Sequence, residues 1–461
     1  MPITGAFILP HPPIILPEVG RGEEKKIERT VESFRAVAKM VRELAPEIII
    51  LSSPHSVMYA DYFHISPGEK AIGDMRQFRA PELGLSAVYD TEFVGALSEA
   101  ARQYKIPAGT MGERNAALDH GTMIPLLYVK EQYSAYRLVR IGLSGLPMTE
   151  HYRLGMCIRD VADRLGKSVV FIASGDLSHK VSAEGPYGYA EEGVLFDREI
   201  TRAMDTGDFL RFLTFDAGFT EKAAECGLRS CVILAGALDG TAVDSKLHSY
   251  EGTFGVGYGV ASFMPKGVDP ARHFLDAYLL EEERRLSEIK NGEDAYVRLA
   301  RYSVENFVQT GRRASLPAGM PEVMLNTRAG VFVSLKKHGQ LRGCIGTIGP
   351  VTGSVAEEIL RNGVSACSED PRFDPVGQEE LAALVYSVDV LAPPEPIESE
   401  AALDVLRYGV IVSSGRKRGL LLPNLEGVDT VARQVEIARQ KAGIRPEETV
   451  TLERFEVVRH Q

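Results

Sequence analysis

Three of the ten histidines follow short apolar or β-branched runs. Residues 6–9 lead into Pro10-His11-Pro12-Pro13, residues 47–51 into Ser52-Ser53-Pro54-His55, and residues 168–173 into Ser174-Gly175-Asp176-Leu177-Ser178-His179. Two neutral imidazoles and one carboxylate on one face of an ion, with the other positions open, make the mononuclear non-heme Fe(II) arrangement. His11 and His55 can supply the imidazoles. Prolines adjoin both, so little backbone entropy is lost in fixing them. The alternative for each is a loop histidine at the surface.

The elements that must position these residues can be read from periodicity. Ile27, Val31, Phe34, Val37, Val41 and Leu44 recur every three or four residues and predict a helix over residues 23–44, closed by Pro46. Residues 137–143 predict a strand, 151–165 a helix and 168–173 a strand. This alternation implies a mixed or parallel sheet covered by helices, an α/β fold in which ligands bind beyond the carboxyl ends of the strands. Gly255-Val256-Gly257-Tyr258-Gly259 lacks the spacing of a dinucleotide fingerprint and reads as an edge strand.

His11-Pro12-Pro13, Ser53-Pro54-His55, Asp119-His120-Gly121-Thr122 and Gly175-Asp176-Leu177-Ser178-His179 occur in an order and spacing that resemble the LigB-type class III extradiol dioxygenases. That resemblance implies Fe(II), or another divalent metal, on His11 and His55. It further implies His179 as acid/base, His120 beside the substrate, and a small aromatic or diol substrate of catechol type. The family's third ligand is a glutamate opening a late helix, and Glu225 of Glu225-Cys226-Gly227-Leu228-Arg229-Ser230 resembles it. Asp176, grouped here with the catalytic candidates, stands where many ring-cleaving members have glycine. It is similar in this to the Memo proteins, whose site can use a cysteine as third ligand, so Cys226 competes with Glu225. Adjacent residues on a helix point about 100° apart, so both should not face one ion.

Turn residues at 264–270 and a charged helix over residues 274–290 mark a boundary, giving domains 1–268 and 285–461. In the second, a helix over residues 296–309 and strands at 331–335 and 384–391 imply a smaller α+β unit. Leu341-Arg342-Gly343-Cys344-Ile345-Gly346, Asp370-Pro371-Arg372-Phe373 and Gly419-Leu420-Leu421-Leu422-Pro423 resemble the AMMECR family. Close glycines admit a ligand or another backbone, and Arg342 offers a planar fork to a carboxylate or phosphate. Arg342, Cys344, Asp370 and Arg372 are therefore candidate substrate-binding residues. The alternative is a tight turn with Arg342 paired to an acid such as Asp370. The fusion resembles the AmmeMemoRadiSam proteins, which implies a radical SAM protein as partner and a metal-binding modification role without oxygenase activity as the competing function.

A formal net charge of −11 opposes nonspecific attraction to nucleic acid or an anionic membrane. No basic segment precedes the first apolar run and no uninterrupted apolar span is long enough for a membrane helix, so a soluble cytoplasmic protein is expected. A homo-oligomer is compatible with the sequence. The five cysteines are scattered, without C-x-x-C spacing, and read as reduced thiols.

Overall fold

The computed structural model of the chain describes residues 2–114, 117–425 and 427–461. It divides into two compact units, Met1–Glu281 and Glu282–Gln461.

The first unit is built on six strands: β1 (Ile3–Leu9), β2 (Ile48–Ser53), β3 (Arg137–Gly142), β4 (Val169–Ser174), β5 (Thr241–Glu251) and β6 (Tyr258–Val268). Their order across the sheet is β3-β2-β4-β1-β6-β5. The first four run parallel, and β6 and β5 follow antiparallel. β2 and β4 are buried along their whole length, which is why they read as continuous β-branched runs without alternation. Helices α1 (Glu28–Leu44), α2 (His120–Lys130), α3 (Met148–Leu165) and α4 (Leu228–Ala237) cover the sheet. One apolar layer joins Ile8, Ile50, Val139 and Phe171 to Leu154, Ile158 and Ile233. The other joins Phe7, Ile49 and Val170 to Phe34, Val37 and Met123.

Two local expectations are corrected. Residues 23–27 form a 3-10 turn ahead of α1 and do not belong to the helix itself. The strand expected at an edge after Gly255 is β6, which is paired on both sides; the edge falls to β5.

The second unit has two antiparallel sheets. Strands β7 (Gly330–Lys337), β8 (Gln340–Gly346) and β9 (Leu384–Leu391) are joined in the first by the C-terminal strand Val457–His460. The helices Ala295–Thr310 and Val355–Ser368 bury Val297, Val304 and Ile359 against Val331, Val333 and Leu335. The second sheet, built from Glu395–Ile397, Gly409–Ser414, Lys417–Leu421 and Thr451–Phe455, packs on the helix Val431–Lys441 through Val410, Val412, Leu421, Val435 and Ala438. No helix among the described residues is long and apolar enough to cross a membrane.

The helix Phe274–Gly292 begins in the first unit, where Leu275 is buried in the core with Phe274 and Tyr278 packed against it. His273 Nδ1 lies 2.7 Å from the Asp239 carboxylate, which also accepts from Tyr152 Oη at 2.7 Å. A fragment ending at residue 268 discards these contacts, whereas one ending at 281 keeps them. Burial of Leu275 alone contributes about 1.5–3 kcal/mol. Residues 1–281 should therefore melt roughly 3–6 °C above residues 1–268 in calorimetry; equal melting temperatures would show that residues 273–281 contribute nothing to this core.

Candidate metal centre

The carboxyl ends of the central strands converge on one spot. His11 lies just past β1, His55 just past β2, and the segment from Gly175 to His179 follows β4. His120 is the first residue of α2, with Asp119 as its N-cap accepting from the Thr122 amide at 2.9 Å. Asp119 also accepts from Ser53 Oγ at 2.6 Å, and Ser53 Oγ in turn accepts from the His55 amide at 3.2 Å. Arg140 of β3 stands 3.6 Å from the same carboxylate. One capping aspartate thus ties the ends of β2 and β3 to the start of the helix that delivers His120.

His11 is buried, with 2% exposure. Its Nδ1 is 3.0 Å from Ser174 Oγ, whose single proton goes to the Gly121 carbonyl at 2.6 Å. Ser174 Oγ must then accept, so His11 is protonated at Nδ1 and turns the lone pair of Nε2 inward. That nitrogen lies 2.9 Å from His55 Nε2. His11, His55 and His120 each bring one ring nitrogen within 4.8 Å of the others, a group able to hold a metal ion. Burial, reinforced by the neighbouring His55 ring, lowers the His11 pKa to about 3. Burial likewise lowers His120 to about 4. Neutral rings are the form that ligates.

The remaining donors come from two antiparallel segments, residues 175–179 and 223–227. Ser178 and Glu225 form an isolated bridge, and a Cβ on Gly175 would stand 2.2 Å from the Gly227 Cα, so only glycine permits this approach. Asp176 Oδ1 accepts from the His11 amide at 2.7 Å, and its other oxygen is 4.0 Å from His11 Nε2. His179 Nδ1 is 2.6 Å from the Ala224 carbonyl.

Glu225 and Cys226 lie ahead of α4, whose N-cap is Gly227, so the expectation that a glutamate opens this helix is corrected. The Glu225 carboxylate accepts from the Leu228 amide at 2.7 Å, capping the helix in the manner expected of an acid beside a positive helix end. Cys226 Sγ lies 3.8 Å from His11 Nε2 and accepts from the Asp176 amide at 3.3 Å. Burial, then the Asp176 carboxylate, pushes the Cys226 thiol well above its ordinary range.

The His11–His55 pair, and separately the His11–Cys226 pair, has the spacing of two ligands on one ion. Two nitrogens about 2.1 Å from one metal and about 90° apart stand about 3.0 Å from each other, and a sulfur at about 2.3 Å stands about 3.6–3.8 Å from such a nitrogen at angles of about 110–120°. The His11–His55 and His11–Cys226 separations match both values. Two cavities of about 740 and about 750 Å³ share His55 and His120. The second also holds His11, Asp176 and His179, with Phe78, Tyr187 and Tyr258 as aromatic wall.

With this geometry established, comparison with known proteins assigns the family. Residues 5–261 match the catalytic LigB subunit of aromatic ring-opening dioxygenase, and residues 297–460 match AMMECR1. The chain belongs to the LigB family over its first unit, with an AMMECR1 domain behind it. A protein of Clostridium acetobutylicum is 44% identical over 473 residues, covering 100% of both chains. A protein of Thermotoga maritima is 47% identical over 173 residues, covering 37% of this chain and 99% of its own. Among solved structures, an uncharacterized protein of Pyrococcus horikoshii is 33% identical with a TM-score of 0.34, covering 36% of this chain and 88% of that one. An uncharacterized protein of Escherichia coli K12 is 15% identical with a TM-score of 0.36, covering 56% and 99%.

In the second unit the four candidate residues cluster around β8. The Arg342 fork is taken by Glu380, with Nε to Oε2 at 3.0 Å and Nη2 to Oε1 at 2.8 Å; the expected alternative partner, Asp370, instead binds Arg372 and the Cys344 amide. The glycine-rich segment is a strand, and the turn before it is His338-Gly339, both at positive φ. A Cβ on Gly343 would stand 2.2 Å from the Ala366 carbonyl, so this glycine admits a helix backbone. Cys344 Sγ accepts from Ser334 Oγ at 3.1 Å, and burial raises its pKa.

Two predictions follow from these contacts. Ser174→Ala removes the acceptor that fixes the His11 tautomer and should weaken metal affinity about 10–100-fold in anaerobic competition titrations; unchanged affinity would refute that role. In the second unit, Arg372 holds Asp370 down to about 2 and Arg342 holds Glu380 down to about 2. A depressed carboxyl pKa stabilises the fold above its unfolded value and is lost as pH falls through the folded one. Stability of residues 282–461 in urea should therefore decline from about pH 4.5 towards pH 2, and Asp370→Asn with Glu380→Gln should flatten that slope.

Proposed function

We propose that the first unit is a metal-dependent enzyme holding iron(II) through His11 and His55 and acting on a catechol-like diol. The observation that carries this reading is the facing pair of Nε2 atoms at 2.9 Å, one of them barred from donating by Ser174 and Gly121. Iron(II) bound there would supply Lewis-acid and template chemistry for the diol oxygens and for dioxygen. The aromatic wall of Phe78, Tyr187 and Tyr258 suits a planar substrate. His179 would take the hydroxyl proton, and His120, neutral and beside His55, would steady negative charge on an oxygen.

The contact between Cys226 and His11 favours a second reading. A thiolate in the third position softens the site and suits a non-oxygenase metal enzyme, working on a substrate shared with a radical SAM protein. Glu225→Ala and Cys226→Ser separate the two. If Glu225 leaves its cap to complete the facial triad, Glu225→Ala abolishes iron binding while Cys226→Ser binds normally and cleaves catechols with oxygen uptake. Metal lost only in Cys226→Ser, with no oxygen uptake by the unaltered protein, would overturn ring cleavage in favour of the second reading. Stoichiometric metal in both His11→Ala and His55→Ala would overturn the site itself.

A further inference from the structure

Ala224 ends the helix Ala217–Ala223 with a left-handed backbone, φ 54°, which residues bearing a Cβ adopt only against steric resistance. The conformation turns its carbonyl onto His179 Nδ1 at 2.6 Å. A carbonyl can only accept, so Nδ1 carries the proton, and in the neutral ring Nε2 keeps its lone pair. The ring lines the cavity that also holds His11, His55 and Asp176.

The residues around it fix this orientation from several directions. Ser178 Oγ donates to the Ala223 carbonyl at 2.8 Å, and the Ser178 amide donates to the buried Asp197 carboxylate at 2.8 Å. Tyr250 Oη donates to the other Asp197 oxygen at 2.7 Å. Tyr187 packs edge-on to the His179 ring with centroids 5.2 Å apart. The strained turn at Ala224 thus stands opposite a histidine whose backbone is itself held.

We infer that Ala224 is a positioning residue whose main-chain carbonyl locks the neutral form of His179 as the Nδ1–H tautomer, which leaves Nε2 of that form as the proton acceptor. The use made of that acceptor rests on the proposed function; the tautomer does not. A histidine held this way begins a reaction as the base and becomes an acid only after it has taken a proton from the substrate. The substrate must then arrive carrying an acidic O–H, N–H or S–H within reach of Nε2.

Two-bond ¹⁵N–¹H correlation on metal-free, ¹⁵N-labelled protein at about pH 8.5, about two units above the ordinary imidazole pKa, reads the tautomer directly. The His179 signals are assigned by their loss in His179→Gln. The expected pattern has Nδ1 protonated and Nε2 unprotonated; the reverse pattern, or an even mixture, overturns the inference. Ala224→Gly accepts a positive φ freely and should keep the tautomer while raising the melting temperature. Ala224→Val opposes the left-handed turn and should populate the other tautomer; a folded Ala224→Val protein with His179 wholly Nδ1–H would remove Ala224 from the role. Should Ala224→Val not fold, the unaltered and Ala224→Gly spectra still decide, since an altered tautomer in Ala224→Gly would also overturn it. Iron content is measured separately on the same samples. Iron binding lost with the tautomer intact strikes the proposed function alone.

Discussion

Two neutral imidazoles cannot hold their nitrogen lone pairs against each other at 2.9 Å inside a protein unless a cation or a proton lies between them. His11 has no freedom to resolve the conflict by changing tautomer, because Ser174 has already given its only proton to Gly121. The first unit is arranged to hold these two nitrogens face to face. Parallel pairing of β1, β2 and β4 brings the ends of three strands together, and Asp119 holds the loop after β2 to the start of α2. Burial then keeps the His11 and His120 rings neutral, the form that ligates.

The other half of the centre depends on backbone rather than on side chains. Residues 175–179 and 223–227 meet so closely that a Cβ on Gly175 would strike Gly227, and Ser178 bridges to Glu225 between them. Cys226 sulfur binds the Asp176 amide while His179 binds the Ala224 carbonyl. A shift of either segment would move the thiol and the imidazole together.

Much of this was legible in the sequence because the parallel sheet follows a general rule. Apolar or β-branched runs ending in Pro-His or Ser-Pro-His place those histidines at carboxyl strand ends, where the structure has them. The geometry of Glu225 and Cys226 was not legible, because it turns on Ala224 adopting a left-handed conformation and on the helix starting at Leu228; neither leaves a mark in hydrophobic periodicity. Arg342 was similarly opaque. Its fork is met by Glu380 from 38 residues further on, a pairing that only the tertiary fold selects. The first turn of the charged helix after residue 273 fell outside both domains as read from the sequence, yet it carries the apolar residues that close the first core.

The separation of the two segments along the chain has a bearing on how the protein is made. His11 and His55 emerge early from the ribosome, whereas Cys226 and Gly227 follow about 170 residues later, at roughly 5–20 residues per second. A nascent chain shorter than that presents two imidazoles on an unfinished sheet, with no wall behind Asp176 and no carbonyl for His179. β6, which pairs directly with β1, is later still. His11 and His55 can therefore meet the side chains of residues 175–179 and 223–227 only after synthesis of the whole first unit, so the centre is among the last features of that unit to be completed.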